Sequence, residues 1–177
     1  MTTRSDLITL FSHRLFACRF DSSGIGVEVG VLNGDFSAEI LQRWGGQLVL
    51  VDPWRQVSAY KYKEDMEQCY AKVCARFAGE PRVRIVRECS VPAAATFADG
   101  SLDWVYLDAD HALEAVTADI AAWWRKVKPG GVLCGHDYFE AEGFGVKRAV
   151  DTFVLFKGLR LELTADWPPS WAVAKPM

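Results

Sequence analysis

The sequence has no run of about 18 or more apolar residues, the length a membrane-spanning helix requires. Nor does it open on a clean apolar leader, because Asp6, His13 and Arg14 interrupt the apolar positions of the N-terminal segment. An excess of either charge is also missing. With 20 Lys+Arg against 23 Asp+Glu the net charge is -3, which gives no general attraction to nucleic acid or an anionic membrane. Basic residues gather between Arg55 and Arg87, but Glu64, Asp65 and Glu67 are interspersed, so the stretch reads as a solvated face. A phosphate-bearing substrate is the competing account. The five cysteines, Cys18, Cys69, Cys74, Cys89 and Cys134, form no CxxC pair and no framework spacing. Free thiols of this kind fit a reducing cytoplasm. Linkers, internal repeats and low-complexity segments are absent too. These absences predict a soluble, cytoplasmic protein with residues 1–177 as one domain, whose partner is a small molecule.

What is present is ordinary globular composition, 50% hydrophobic and 24% charged, in a chain of 177 residues that can bury a sizeable core. The organising stretch is VEVGVLNGDF, Val27 to Phe36. Val27 and Val29 alternate with Glu28 as in a strand; the chain turns at Gly30 and Gly34, and Phe36, Ile40, Leu41 and Trp44 follow at helical spacing. A strand, a glycine turn and an amphipathic helix open a doubly wound α/β sheet, whose ligands bind beyond the carboxyl ends of the strands. Gly30 permits close backbone approach to a ligand, and Gly34 lets the helix start tight against the strand.

The rest of the chain repeats that plan. Leu7, Leu10, Phe11, Leu15 and Phe16 predict an N-terminal helix within residues 1–22 that caps a sheet edge. LVLVDPW, Leu48 to Trp54, is a second strand without alternation, as in a parallel strand buried on both faces. A loop with Tyr60 and Tyr62 leads to a helix over Asp65–Phe77, then a third strand around Val83–Val86 and a short helix over Ala93–Phe97. A fourth strand, Trp104–Leu107, runs into Asp108–His111. The helix after it carries Val116, Ile120, Trp123 and Val127 on one face and ends at KPGG, Lys128–Gly131. A fifth strand ends at His136-Asp137-Tyr138. After one more helix, short strands at Arg160–Thr164 and Trp171–Ala174 predict an antiparallel terminal hairpin.

Glu28, Asp52, Asp108 and Asp137 all fall at or near strand ends, and neighbouring strands lie about 4.8 Å apart. Taken singly, each acid could be a helix or turn cap. Four in register predict a shared crevice. Asp52, at the end of the second strand, is placed to accept hydrogen bonds from both hydroxyls of a ribose. The turn Gly30-Val31-Leu32-Asn33-Gly34 is not GxGxxG, and Glu28 and Asp35 flank it. Acids there disfavour a pyrophosphate and favour a cationic, phosphate-free nucleoside cofactor.

VEVGVLNGDFS, LVLVDPW, DWVYLDADH and KPGGVLCGHDY, in this order, resemble class I S-adenosylmethionine-dependent methyltransferases, and more closely the methyltransferase 24 type, which includes macrocin and sugar O-methyltransferases. The resemblance covers roughly Gly24 to Tyr138. It implies a mostly parallel, seven-stranded Rossmann-like sheet whose last strand is antiparallel. It also implies that Glu28, Gly30 and Gly34 border the methionine part of the cofactor, that Asp52 takes the ribose, and that Cys89-Ser90 lies by the adenine. In metal-dependent relatives the first acid of an LDxD motif and an acidic pair after the fifth strand bind a divalent cation. Carried over, Asp108 and Asp137 are ligands, with Asp108 also bordering the cofactor, and Asp110 is the base.

His136 stands where most relatives have Asp. As a third ligand it would shift preference from magnesium towards manganese, iron or zinc; its alternative is a hydrogen-bonded residue at a strand end. His111 is a second candidate base, since its ordinary pKa of about 6.5 suits proton transfer near neutrality. Tyr60, Tyr62 and Tyr138 are candidate walls of a substrate pocket, and Trp54 either packs on the adenosine or fills the sheet edge. The expected activity is O-methylation of a small hydroxylated molecule, a sugar or natural-product intermediate. A second subunit of a homo-oligomer would complete the pocket. Two other classes stay open: a non-catalytic cofactor-binding protein on the same fold, and a nicotinamide oxidoreductase, against which the absent GxGxxG counts.

Overall fold

Long apolar runs without alternation need cover on both faces, and the sheet shows how this is met. The computed structural model describes residues 2–4, 6, 23–57 and 63–177. Expectations for the N-terminal helix beyond Asp6, for His13 and Cys18, and for Tyr60 and Tyr62 lie outside these residues. The described chain runs β1 (Ile25–Val29), α1 (Asp35–Arg43), β2 (Gln47–Val51), α2 (Met66–Phe77), β3 (Val83–Val86) and α3 (Ser90–Ala95). It continues through β4 (Leu102–Leu107), α4 (Leu113–Lys126), β5 (Val127–Gly135), α5 (Val146–Lys157), β6 (Leu161–Leu163) and β7 (Trp171–Ala174).

These strands form one seven-stranded sheet in the order β3-β2-β1-β4-β5-β7-β6. The first five strands pair in parallel, while β7 is antiparallel to both β5 and β6. This is the doubly wound sheet with an antiparallel terminal hairpin that the sequence predicts. Along β2, Val49 and Val51 join Val27, Val29, Val105 and Leu133 under Val116, Ile120, Trp123 and Val150 of α4 and α5. Leu48 and Leu50 face the other way, packing with Tyr106 and Cys134 under Phe36, Ile40, Val73 and Phe77 of α1 and α2. The strand order reverses between β1 and β4. Their carboxyl ends therefore diverge into connections on opposite sides, and a crevice opens there.

Local chemistry sets most element ends. Asp65 caps α2 by accepting hydrogen bonds from the main-chain N–H groups of Glu67 (3.0 Å) and Gln68 (3.2 Å). α3 starts at Ser90, three residues earlier than predicted, because Pro92 falls in the first turn, where its missing N–H costs no intrahelical bond. KPGG does not terminate a helix. α4 stops at Lys126, and Val127 already pairs with Leu102 as the first residue of β5. Lys128–Gly131 absorb a register shift before Val132 pairs with Trp104. Lys128 ion-pairs with buried Asp103, whose carboxylate also accepts from Ile25 N at 2.8 Å, so strand pairing and a buried charge override the capping signal. Among the described residues no helix is long and apolar enough to cross a membrane.

Candidate active site

The first site-building constraint is the approach of β1 to β4. Gly30 has φ 88°, and a Cβ there would lie 1.9 Å from the Asp108 carbonyl oxygen. Only glycine meets both demands. Its freedom serves the meeting of two strand ends, in addition to bordering the crevice. Gly34, with φ 74°, faces elsewhere: a side chain there would press on Phe77 and Val73 of α2, and Gly34 is not part of the crevice wall.

Asp52 then fixes the loop between them. Its Oδ2 accepts from Val31 N (2.9 Å) and Leu32 N (3.1 Å), and its Oδ1 accepts from Trp54 N (2.7 Å). A carboxylate offers about four lone-pair positions. Three are filled by the protein's own backbone, which leaves about one where the sequence reading expected two ribose hydroxyls. Trp54 fills the core below the loop, donating Nε1–H to Leu32 O at 2.9 Å and packing on Tyr70.

Glu28 sits at the crevice floor, 1% exposed, and accepts a hydrogen bond from Ser37 Oγ. Burial pushes its carboxyl up to about 8, against the smaller opposing pulls of Ser37 and Arg4. It is therefore largely protonated at neutral pH, not the standing anion that the sequence suggests. The sign of its pH effect follows. Between the ordinary carboxyl pKa near 4.5 and the native value near 8, the folded state holds a proton that the unfolded state has released. Stability should thus fall as pH rises through that window, by something on the order of 2 kcal/mol after relaxation. Denaturant unfolding of wild type and Glu28→Gln from pH 5 to 9 checks this: the variant should be flatter, and parallel profiles would contradict it.

The β4 and β5 ends carry the charged cluster. His111 Nε2 lies 2.9 Å from Asp137 Oδ2 and 3.7 Å from Asp108 Oδ1. That nitrogen is buried yet makes no aligned hydrogen bond. Burial alone would favour the neutral ring, but the two carboxylates beside it raise His111 to about 9. Burial also works against ionised Asp137, yet His111 and His136 together hold its carboxyl well below the usual range. Asp137 itself adopts φ 56°.

One ligand atom each from Asp108, His111 and Asp137 lies within 4.8 Å of the others. The expected set had His136 in place of His111; His136 Nδ1 lies 3.1 Å from Asp137 Oδ1. An orphaned imidazole nitrogen facing two carboxylate oxygens fits a divalent cation, and its nitrogen donor favours a transition metal over magnesium.

Arg4 is the residue that the sequence reading missed. Its guanidinium pairs with Asp108 Oδ2 at 2.6 Å and lies over the Phe36 ring at 3.9 Å. Arg4 N donates to Asp166 Oδ2 at 2.7 Å, and Ala165 N donates to Thr2 O at 2.7 Å, so the segment is tied to the β6–β7 turn. Arg4 and His111 balance Asp108 and Asp137. These two acids therefore do not by themselves require a cation between them. Asp110 borders the crevice and accepts from Ala112 N at 2.8 Å. Ser90 borders it as well, while its Oγ accepts from Trp123 Nε1 at 2.9 Å. Tyr138 donates to Asp151 Oδ1 at 2.6 Å and is not part of the wall.

The resulting crevice has a volume of about 540 Å³, within the range of small-molecule sites. Its lining combines charged and polar groups (Arg4, Glu28, Asp108, Asp110, His111) with apolar ones (Val91, Pro92, Ala115, Ala118).

The family model for the methyltransferase 24 domain matches residues 27–138. No curated protein sequence matches the chain. Among solved structures, a protein from Corynebacterium glutamicum aligns with TM-score 0.71 at 14% identity, covering 100% of this chain and 83% of its own. The Podospora anserina methyltransferase PaMTH1, solved with S-adenosylhomocysteine, aligns with TM-score 0.64 at 10% identity over 100% and 80%. CalS11, a TDP-rhamnose 3'-O-methyltransferase of calicheamicin biosynthesis, aligns with TM-score 0.62 at 14% identity over 96% and 77%. A glycine loop fixed by a strand-end acid, a crevice at the strand-order switch and a match spanning most of the sheet lead to one assignment: this chain belongs to the methyltransferase 24 family of S-adenosylmethionine-dependent methyltransferases.

Proposed function

We propose that this methyltransferase acts on a hydroxyl oxygen of a small acceptor, a sugar or natural-product intermediate, with help from a divalent metal held by Asp108, His111 and Asp137. The carrying observation is the convergence of these three side chains, of which Asp108 and His111 line the crevice. The methyl carbon leaves the sulfonium as the acceptor oxygen attacks in line; the S–C bond breaks, an O–C bond forms, and the hydroxyl proton must go to the protein. When bound, the metal supplies Lewis acidity that lowers the pKa of that hydroxyl. Asp110 accepts the proton: it lines the crevice with Asp108 and His111, and Oδ1 is the oxygen held by Ala112 N, leaving Oδ2 for the substrate. His111 is cationic beside its two acids and must give up that proton as a metal binds, so it is assigned to the ligand set and not to the base.

Chelation is the test. Thorough removal of divalent ions should lower turnover of a hydroxylated acceptor at least tenfold, with manganese or zinc restoring it. Asp137→Asn should reduce metal content while leaving affinity for S-adenosylhomocysteine within about twofold, since the neutral amide still accommodates His136. Turnover indifferent to chelation, with no metal by elemental analysis, would remove the metal from the proposal; methyl transfer to nitrogen or carbon would remove the hydroxyl. One observation favours a non-catalytic reading: Arg4 pairs with Asp108 Oδ2 and so neutralises a carboxylate that a metal would need. Any turnover at all decides against it.

A further inference from the structure

α4 and α5 cover the sheet face opposite Phe36, and between them runs a groove of about 550 Å³ that shares no residue with the crevice. On α4 its wall repeats at Leu113, Thr117, Ile120 and Trp124, and on α5 at Ala149, Phe153 and Phe156, the spacing of one helix face on each side. From Leu113 to Trp124 the wall runs about 17 Å, three helical turns. Its lining includes buried Ile120 and Ala149, yet leaves Phe156 on the last turn of α5 82% exposed. The threonine hydroxyls are spent on their own helices: Thr117 Oγ1 donates to Leu113 O at 2.6 Å, and Thr152 Oγ1 donates to Arg148 O at 2.8 Å.

Charge decides what this groove can take. Arg125, Arg148 and Lys157 line it and, among the described residues, no Asp or Glu does, in a chain whose net charge is -3. Arg125 shares one acid, Asp99, with Lys126. Arg148 and Lys157 pair with no carboxylate of the described residues, and Lys157 Nζ instead lies over the Phe156 ring at 5.7 Å. A second copy meeting this face about a twofold axis would set these cations against themselves. A lipid surface would meet exposed Phe156 but leave the concavity unfilled. An amphipathic helix with acidic flanks meets both demands, because its apolar stripe fills the groove and its acids face the cations.

We infer that the α4–α5 groove is a docking site for an acidic amphipathic helix of another protein. One end of the groove lies beside the catalytic turn: Leu113 follows His111 by two residues, and Gly145, just before α5, donates its N–H to His111 O at 2.7 Å. The inference depends neither on the cofactor nor on the acceptor.

Binding of labelled synthetic peptides, followed by fluorescence anisotropy, tests it. The acidic probe carries leucine at i, i+3, i+4 and i+7 with glutamate on its flanks, and the control has lysine in place of each glutamate. Wild type should bind the acidic peptide saturably and at least about tenfold more tightly than the control, with a preference that shrinks as salt rises. Ala121→Glu places an acid on the exposed groove wall while keeping a good helix former, and should weaken the acidic peptide at least about tenfold. A circular-dichroism melt shows that the variant keeps its fold. Arg148→Glu combined with Lys157→Glu should reverse the preference towards the lysine peptide. Equal affinity for the two peptides, no binding of either, or an Ala121→Glu chain that holds the acidic peptide as wild type does overturns the inference. So does a solution dimer that Ala121→Glu dissociates, or binding to phosphatidylglycerol vesicles that Phe156→Ser abolishes while the acidic peptide is ignored. The wild-type comparison of the two peptides stands even if a variant fails to fold.

Discussion

Asp52→Ala is expected to weaken S-adenosylmethionine binding about 100-fold, the loss of a charge-assisted hydrogen bond together with the order of the loop it holds. Three backbone N–H groups, of Val31, Leu32 and Trp54, depend on this carboxylate. With Asp52 gone, water reaches some of them, so stability should drop by about 1–3 kcal/mol. Affinity and stability are predicted to fall together because one side chain builds the loop and greets the ribose. Asp52→Asn, which keeps an acceptor but loses charge, should lie between wild type and alanine. Calorimetric binding beside a denaturant melt measures both; unchanged affinity in a destabilised variant would confine Asp52 to a structural role.

Asp110→Asn is expected to lower turnover by about 10²–10⁴-fold, the usual contribution of a general base. Asparagine is the cleaner substitution, because its amide oxygen can still accept from Ala112 N and keep the start of α4 in place. Alanine would add a capping loss of about 0.5–2 kcal/mol and blur the reading. The acidic limb of the pH–rate profile should change in the asparagine variant, whereas cofactor affinity should not. Turnover at wild-type level would reject Asp110 and return His111 to consideration, which requires that a ligand strip the proton that its two acid neighbours stabilise.

The parts of this protein written in local sequence were readable. Unalternated valines and leucines in LVLV announce a strand covered on both faces, and Gly30 marks a backbone that must turn sharply. Strand-end acids could be placed on one edge because parallel strands end together. What stayed hidden depends on distance along the chain or on burial. Arg4 meets Asp108 across 104 residues, and no motif accompanies an arginine near a chain start. Glu28 lies one residue inside the strand end, where burial suppresses the charge expected of it. His111 lies 2.9 Å from Asp137 Oδ2 beside a left-handed backbone at Asp137, a conformation that the letters GHDY do not display.

The most direct measurement is a calorimetric titration of the purified chain with S-adenosylmethionine, S-adenosylhomocysteine and NAD(H). The account predicts saturable binding of the first two at one site per chain, abolished or strongly weakened in Asp52→Ala, and no heat from NAD(H). Saturable NAD(H) binding without any response to S-adenosylmethionine would contradict it.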